Sequence, residues 1–198
     1  MADTRLAQQM AFVMEIDKLK TILRQTSLMD NSRRENSAEH SWHLAAMALT
    51  LGEYAEPRTD LTHVVKMVLV HDIVEIDAGD VFAYDAAGNV GKVDREKLAA
   101  ARIFGLLPEE QGREFRQLWE EFEARETMEA KYANALDRLQ PLLNNWRTQG
   151  GTWAIHKVNR KQVMWRMDPV KEGMPEVWPM VLKIVDDACG CGWIGEGD

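Results

Sequence analysis

His71, Asp72 and Glu75 interrupt the apolar stretch VVKMVLVHDIVEIDAGD, residues 64 to 80, where most neighbours belong in a core. On a helix, positions three and four apart share a face, so these three side chains project together while Val68, Leu69 and Ile76 turn toward packing. Burying an unpaired carboxylate costs several kcal/mol, so the patch requires cations, hydrogen bonds or a metal. One divalent ion satisfies all three residues at once. Such an ion takes about four imidazole or carboxylate ligands and keeps a position open for water. His71 and Asp72 supply two. The candidates for the others are His40 and His43 in AEHSWHLAAM, and Asp137 in YANALDRLQPLL, an aspartate among Ala135, Leu136 and Leu139. Ligands carried on three helical segments make a rigid cage.

The elements that must position these residues read as helices throughout. Met10, Val13, Met14, Asp17 and Leu19 open an amphipathic segment, and no strand-like alternation persists long enough to build a sheet, so the expected class is all-α. Asn36 with Glu39 has the form of a capping box, predicting a helix from Ser37 to about Ala55. Thr59 or Asp60 caps a second, running through HVVKMVLVHDIVEI to about Asp77, where Ala-Gly-Asp is turn chemistry. Val81 to Val93 reads as an irregular loop. Further helices are expected over Asp94–Phe104, Pro108–Arg125, Glu126–Arg147, Trp153–Arg166 and Pro175–Ala188, with a break at Gly150-Gly151. The sequence shows neither an internal repeat nor a low-complexity linker.

With 198 residues, 45% of them apolar, the chain fits one domain able to bury a substantial core. A formal net charge of −8 excludes wrapping of a nucleic acid polymer or coating of an anionic membrane, so an anionic ligand has to be small and locally held. No apolar run reaches the roughly 18 to 20 residues of a membrane span, and the N-terminal stretch is charged where a signal peptide is apolar. The expectation is a cytoplasmic protein. Cys189 and Cys191, close together in a glycine-rich tail, read as reduced thiols. His63 and His156 read as surface or satisfied histidines, and most of the seven tryptophans as core or interface anchors.

The order His40, His71-Asp72, Asp137 resembles the H…HD…D signature of the HD-domain metal-dependent phosphohydrolases, and RRENSAEHSWHLA with LVHDIVEIDAGD is similar to its 5′-deoxynucleotidase branch. The likeness covers roughly residues 10 to 145, leaving the C-terminal helices and tail, about 150 to 198, without a matching motif. It implies an HD-domain helical bundle with a metal site between helices. His40, His71, Asp72 and Asp137 would be the ligands, and His43, one turn from His40, an outer or packing residue. Glu75 would be the acid/base partner of the water at the metal. Asp80 would be a second carboxylate near the substrate or near a second cation such as magnesium. Arg24 matches a phosphate-contacting arginine, while Gln25 stands where the bacterial members carry tryptophan. Arg33 and Arg34 are either a solvated pair or groups that orient a phosphate or anchor a carboxylate, and Trp42 stands next to the site.

This reading makes the chain a metal-dependent phosphomonoesterase acting on (deoxy)nucleoside 5′-monophosphates. The metal lowers the pKa of its water and polarises a phosphoryl oxygen, Glu75 takes the proton, and Arg24 offsets phosphate charge. Imidazole with carboxylate suits manganese, cobalt, iron, nickel or zinc. The rival readings are a related phosphohydrolase of cyclic nucleotides, guanosine tetraphosphate or nucleoside triphosphates, and a metal-stabilised binding protein without turnover. The resemblance and the tryptophan content both imply a homodimer.

Overall fold

A computed structural model describes residues 4–85 and 87–197. The head of the charged N-terminal stretch (residues 1–3), Ala86 of the expected loop, and Asp198 lie outside the described residues. The element order is α1 (Thr4–Ile16), β1 (Leu23–Ser27), β2 (Arg34–Asn36), α2 (Ser37–Thr50), α3 (Leu61–Val70), α4 (Glu75–Ala78), α5 (Lys92–Phe104) and α6 (Glu109–Ala124). It continues with α7 (Met128–Arg147), α8 (Gly151–Ile155), α9 (Arg160–Gly173) and α10 (Trp178–Gly190). The helical architecture is as expected, with one addition. β1 and β2 form a short antiparallel ribbon pairing Leu23 with Asn36 and Ser27 with Arg34. Among the described residues no helix is long and apolar enough to cross a membrane.

Local chemistry explains where the helices begin. Asn36 accepts the Glu39 amide at 2.9 Å and the Glu39 carboxylate accepts the Asn36 amide at 2.7 Å, so the capping box is complete. Asp60 caps α3 by accepting the amides of Thr62 and His63. Two ends differ from expectation. α2 stops at Thr50, short of Ala55, and passes into a 3₁₀ turn over Gly52–Tyr54. α3 stops at Val70, and the chain from His71 to Val74 winds more tightly, with Ile73 bonding back to Val70, Glu75 to Asp72 and Ile76 to Ile73. Residues three apart eclipse in such winding, which stacks Asp72 and Glu75 along one edge. Gly79, at φ 74°, then ends α4 in a backbone that a side chain would resist, and turns the chain into Asp80.

α7 is the central helix. Tyr132, Leu136, Leu139 and Leu142 are almost fully buried on it, and so are Asn134, Asp137 and Gln140. A helix buried all round needs internal partners for its polar side chains: Asp137 and Gln140 find theirs at the site, and the Asn134 amide donates to the Phe122 and Ala130 carbonyls. α9 lies against α7 at Gly173, where a Cβ would stand 2.3 Å from the Lys131 carbonyl oxygen and 2.9 Å from the Ala135 Cβ. Only glycine permits that approach, and it sets α9 beside the site-bearing turn of α7.

Two stretches depart from the apolar and helical pattern read in the sequence. On α1 the buried residue is Phe12, edge-on to Phe115 at 5.2 Å, while Met10, Val13 and Met14 of the expected apolar face are 47%, 52% and 69% exposed. The helix expected over Trp153–Arg166 is two helices, α8 and α9. Lys157, at φ 51°, breaks them, and a second capping box between Asn159 and Gln162 restarts the chain. α9 also runs past Arg166 through Pro169 to Gly173.

Candidate metal centre and its cavity

Four segments converge on one centre. α2 brings His40, the tight turn after α3 brings His71 and Asp72, α7 brings Asp137, and β1 brings Arg24. All four ligand candidates are buried, and ligand atoms of His40, His71 and Asp72 lie within 4.8 Å of one another. Asp137 Oδ1 stands 2.9 Å from His40 Nε2 and 3.9 Å from His71 Nε2.

Hydrogen bonding fixes which imidazole nitrogens face the centre. His71 Nδ1 lies 2.7 Å from the Val68 carbonyl oxygen, so that nitrogen carries the proton and Nε2 offers a lone pair. His71 Nε2 is 3.0 Å from Asp72 Oδ1 yet, buried, makes no hydrogen bond. For His40 the assignment passes through Gln140. The Gln140 amide donates to the acceptor-only carboxylate of Glu35 at 2.6 Å, which turns its oxygen toward His40 Nδ1 at 3.1 Å. His40 Nε2 is thereby left facing Asp137. Two buried lone pairs aimed at two carboxylates are a donor set for a cation, and imidazole with carboxylate suits a divalent transition ion. The residues fit the group that the motif implies.

Charge in the centre is balanced without a metal as far as the chain allows. Burial opposes the charge of Arg24, but Asp72, Glu75, Asp80 and Asp137 outweigh it and hold the guanidinium firmly charged. Arg24 donates to Asp72 Oδ2 at 2.9 Å and lies 3.6 Å from Glu35. Burial is likewise outweighed at Asp72, chiefly by His71, and at Asp137, chiefly by Arg138, so both carboxyls sit below their usual range. His40 and His71 are pushed up from the ordinary 6.5, because nearby carboxylates overcome the cost of burying their charge. Glu75 is raised well above its usual value by burial and then by Asp72, and Ser37 Oγ donates to its Oε2 at 2.7 Å. Burial raises Asp80 too.

These directions predict how metal-stripped protein responds to pH. A group whose pKa is raised by folding stabilises fully below its unfolded value and loses that contribution as pH rises through the folded value. For His40 and His71 the loss starts above 6.5, and the raised Glu75 and Asp80 act in the same direction from lower pH. The melting temperature of stripped protein should fall between about pH 6 and 8, and a divalent ion, which replaces protons on the imidazoles, should abolish the fall. A stripped protein whose Tm is flat or rises across that interval would contradict this balance.

A cavity of about 500 Å³ opens on the centre and is lined by Arg24, His71, Asp72, Glu75, Asp80 and Asp137. Lys92, Arg138, Trp165 and Arg166 add a wall that no sequence motif announced. His40 is fully buried behind it, and His43 lies 3.4 Å from the Gln140 amide, outside the cavity. Three residues expected near the substrate are not in the wall. Arg33 donates to both oxygens of Glu39 at 2.6 and 2.8 Å, bracing the α2 cap. Arg34 donates to the Arg24 and Leu23 carbonyls and pins β1. Trp42 is 67% exposed beside His43. Sequence reasoning missed Ser37 and Gln140 as positioning groups, although Gln140 is three residues from Asp137 and so had to share its face.

Comparison with known proteins agrees with this geometry. The HD domain family model matches residues 16–178. A predicted metal-dependent phosphohydrolase from Magnetospirillum magnetotacticum has a crystal structure that superimposes with a TM-score of 0.94 at 53% identity, covering 98% of this chain and 97% of that one. The 5′-deoxynucleotidase HDDC2 of Homo sapiens is 29% identical over 87% of this chain and 82% of its own length. That of Danio rerio is 31% identical over 67% of this chain and 65% of its own. With its helical fold, its H…HD…D residues gathered at one buried centre and a family match across most of its length, the chain belongs to the HD domain family.

Proposed function

We propose that this protein is a metal-dependent phosphomonoesterase that hydrolyses (deoxy)nucleoside 5′-monophosphates to nucleoside and inorganic phosphate. The observation that carries the reading is the pair of buried imidazole lone pairs, on His40 and His71, facing Asp72 and Asp137 at the floor of a cavity where Ser37 holds Glu75. The names of the human and zebrafish relatives support a nucleotide substrate.

His40, His71, Asp72 and Asp137 would hold the ion. A bound divalent ion lowers the pKa of water and polarises a phosphoryl oxygen. Glu75, held by Ser37 and stacked over Asp72, would accept the proton of the attacking water. The oxygen–phosphorus bond to the sugar breaks as the water oxygen bonds to phosphorus, and the proton passes to the departing 5′-oxygen. Arg24, in the wall of the same cavity, would offset charge on the phosphoryl oxygens. Asp80 faces the same cavity as a second carboxylate, placed for a sugar hydroxyl or a second cation such as magnesium.

A panel of ribo- and deoxyribonucleoside mono-, di-, tri- and cyclic phosphates, with product analysis on protein reloaded with single metals, tests the substrate class. Nucleoside and phosphate from 5′-monophosphates are expected. Turnover confined to cyclic nucleotides or to polyphosphates would replace this reading.

The protein acts as a homodimer in this account. Trp42 and Leu49, seven residues apart on one face of α2, are 67% and 66% exposed, and Met10, Val13 and Met14 of α1 are uncovered as well. Light scattering should give about twice the 22.6 kDa chain mass. A monomer mass across micromolar concentrations would rule the dimer out.

A further inference from the structure

The C-terminal region carries no recognisable motif, yet α9 places Arg166 in the wall of the cavity that opens on the metal centre. Arg166 is half-buried, and its guanidinium has neither a hydrogen bond nor an ion pair among the described residues. Arg138, on the neighbouring α7, has a side chain only 6% exposed and, among the described residues, pairs with Asp137 alone. With Asp137 as a metal ligand that pairing would be shared, leaving Glu123 in the same wall as the other carboxylate acting on Arg138. Three adjoining cavities, of about 500, 70 and 310 Å³, all have Arg138 and Arg166 in their walls, so the two arginines stand where the open spaces meet.

Arrangements of this kind are costly unless something occupies them, since buried cations without counter-charges destabilise a fold. Burial and then the charge of Arg138 pull Arg166 down to about 9, still charged at neutral pH. The chain as a whole carries −8, so two poorly paired arginines at one cavity run against its general charge. Arg24 does not fill the need alone, because its guanidinium is already committed to Asp72 and Glu35. Planar guanidinium forks match phosphate oxygens in pairs.

We propose that Arg138 and Arg166 form an anion subsite that holds the phosphoryl oxygens of the substrate beside the metal centre, making α9 the recognition wall of the enzyme. The inference rests on the phosphomonoesterase reading for the identity of the anion. The occupant is the phosphoryl group that is hydrolysed and not a second phosphate, because Arg138 directly follows Asp137 in the chain and touches its carboxylate.

Inorganic phosphate is the probe, titrated calorimetrically into metal-loaded wild type, Arg166→Met and Arg166→Lys. Wild type should bind it, Arg166→Met should weaken binding at least about tenfold, and Arg166→Lys should fall between them. Arg166→Met should melt no lower than wild type, since it removes a charge without a partner, whereas an arginine kept for structure would lower the Tm when replaced. Should Arg166→Met fail to fold, Arg166→Gln carries the same expectation for phosphate. In reloaded protein Arg166→Met should raise KM and lower kcat/KM at least about tenfold for every nucleoside monophosphate. Unchanged phosphate affinity, absence of phosphate binding by wild type, or a KM effect confined to substrates with a second phosphate would overturn the subsite. Phosphate release by reloaded wild type is scored separately, and its failure counts against the hydrolytic reading instead.

Discussion

Asp72→Ala and His71→Ala are expected to lose the metal and phosphate release together. The four donors come from three separate helical segments, so removing one opens the cage. Asp72 also accepts from Arg24 at 2.9 Å and faces His71 Nε2 at 3.0 Å, so its loss leaves a buried guanidinium and a buried imidazole short of a counter-charge. Loss of an outer partner of a metal ligand typically lowers metal affinity by about 10- to 100-fold, and loss of the ligand itself should exceed that. Elemental analysis beside a phosphate-release assay decides the matter. Full metal occupancy with ordinary activity in Asp72→Ala would remove that residue from the ligand set.

Glu75→Ala separates an enzyme from a metal-stabilised binding protein. Glu75 lies against Asp72 but accepts its hydrogen bond from Ser37, whereas Asp72 and Asp137 stand 3.0 and 2.9 Å from an imidazole Nε2. The variant should therefore keep its metal and still bind a nucleoside monophosphate. Hydrolysis should fall by about two to four orders of magnitude, the usual contribution of a positioned acid/base group. Calorimetry of nucleotide binding and phosphate release on one sample test both halves. Turnover within threefold of wild type would take Glu75 out of the mechanism, and loss of metal would move it among the ligands.

The centre could be read from the sequence because its residues break a pattern. A histidine and two carboxylates inside an apolar run, with a buried aspartate in YANALDRLQPLL, have few physical explanations other than a shared cation. The Asn36–Glu39 cap was readable for a similar reason, since both partners lie within one turn. What escaped was decided by packing between distant segments. The tight winding at His71–Val74 follows from fitting Asp72 and Glu75 into one buried site, and helical periodicity carries no trace of it. Leu23–Ser27 is too short and polar to signal a strand until Arg34–Asn36 pairs with it. Arg33 and Arg34, open in the sequence between a solvated pair and groups that orient a phosphate or anchor a carboxylate, each close a local bond, one to Glu39 and one to the β1 backbone. The Asn159–Gln162 box, by contrast, was present in the sequence and would have divided α8 from α9. Arg166 gave no signal because its meaning depends on Arg138, reached only through the packing of α9 against α7.

The most direct test of the account is to titrate metal-stripped protein with one divalent ion, following bound metal and phosphate release from a deoxynucleoside 5′-monophosphate on the same sample. The centre built on His40, His71, Asp72 and Asp137 predicts no release at zero metal and a rate that rises with occupancy until the buried site is full. Phosphate release by the metal-free protein, or a saturated site that releases none with any divalent ion tried, would contradict it.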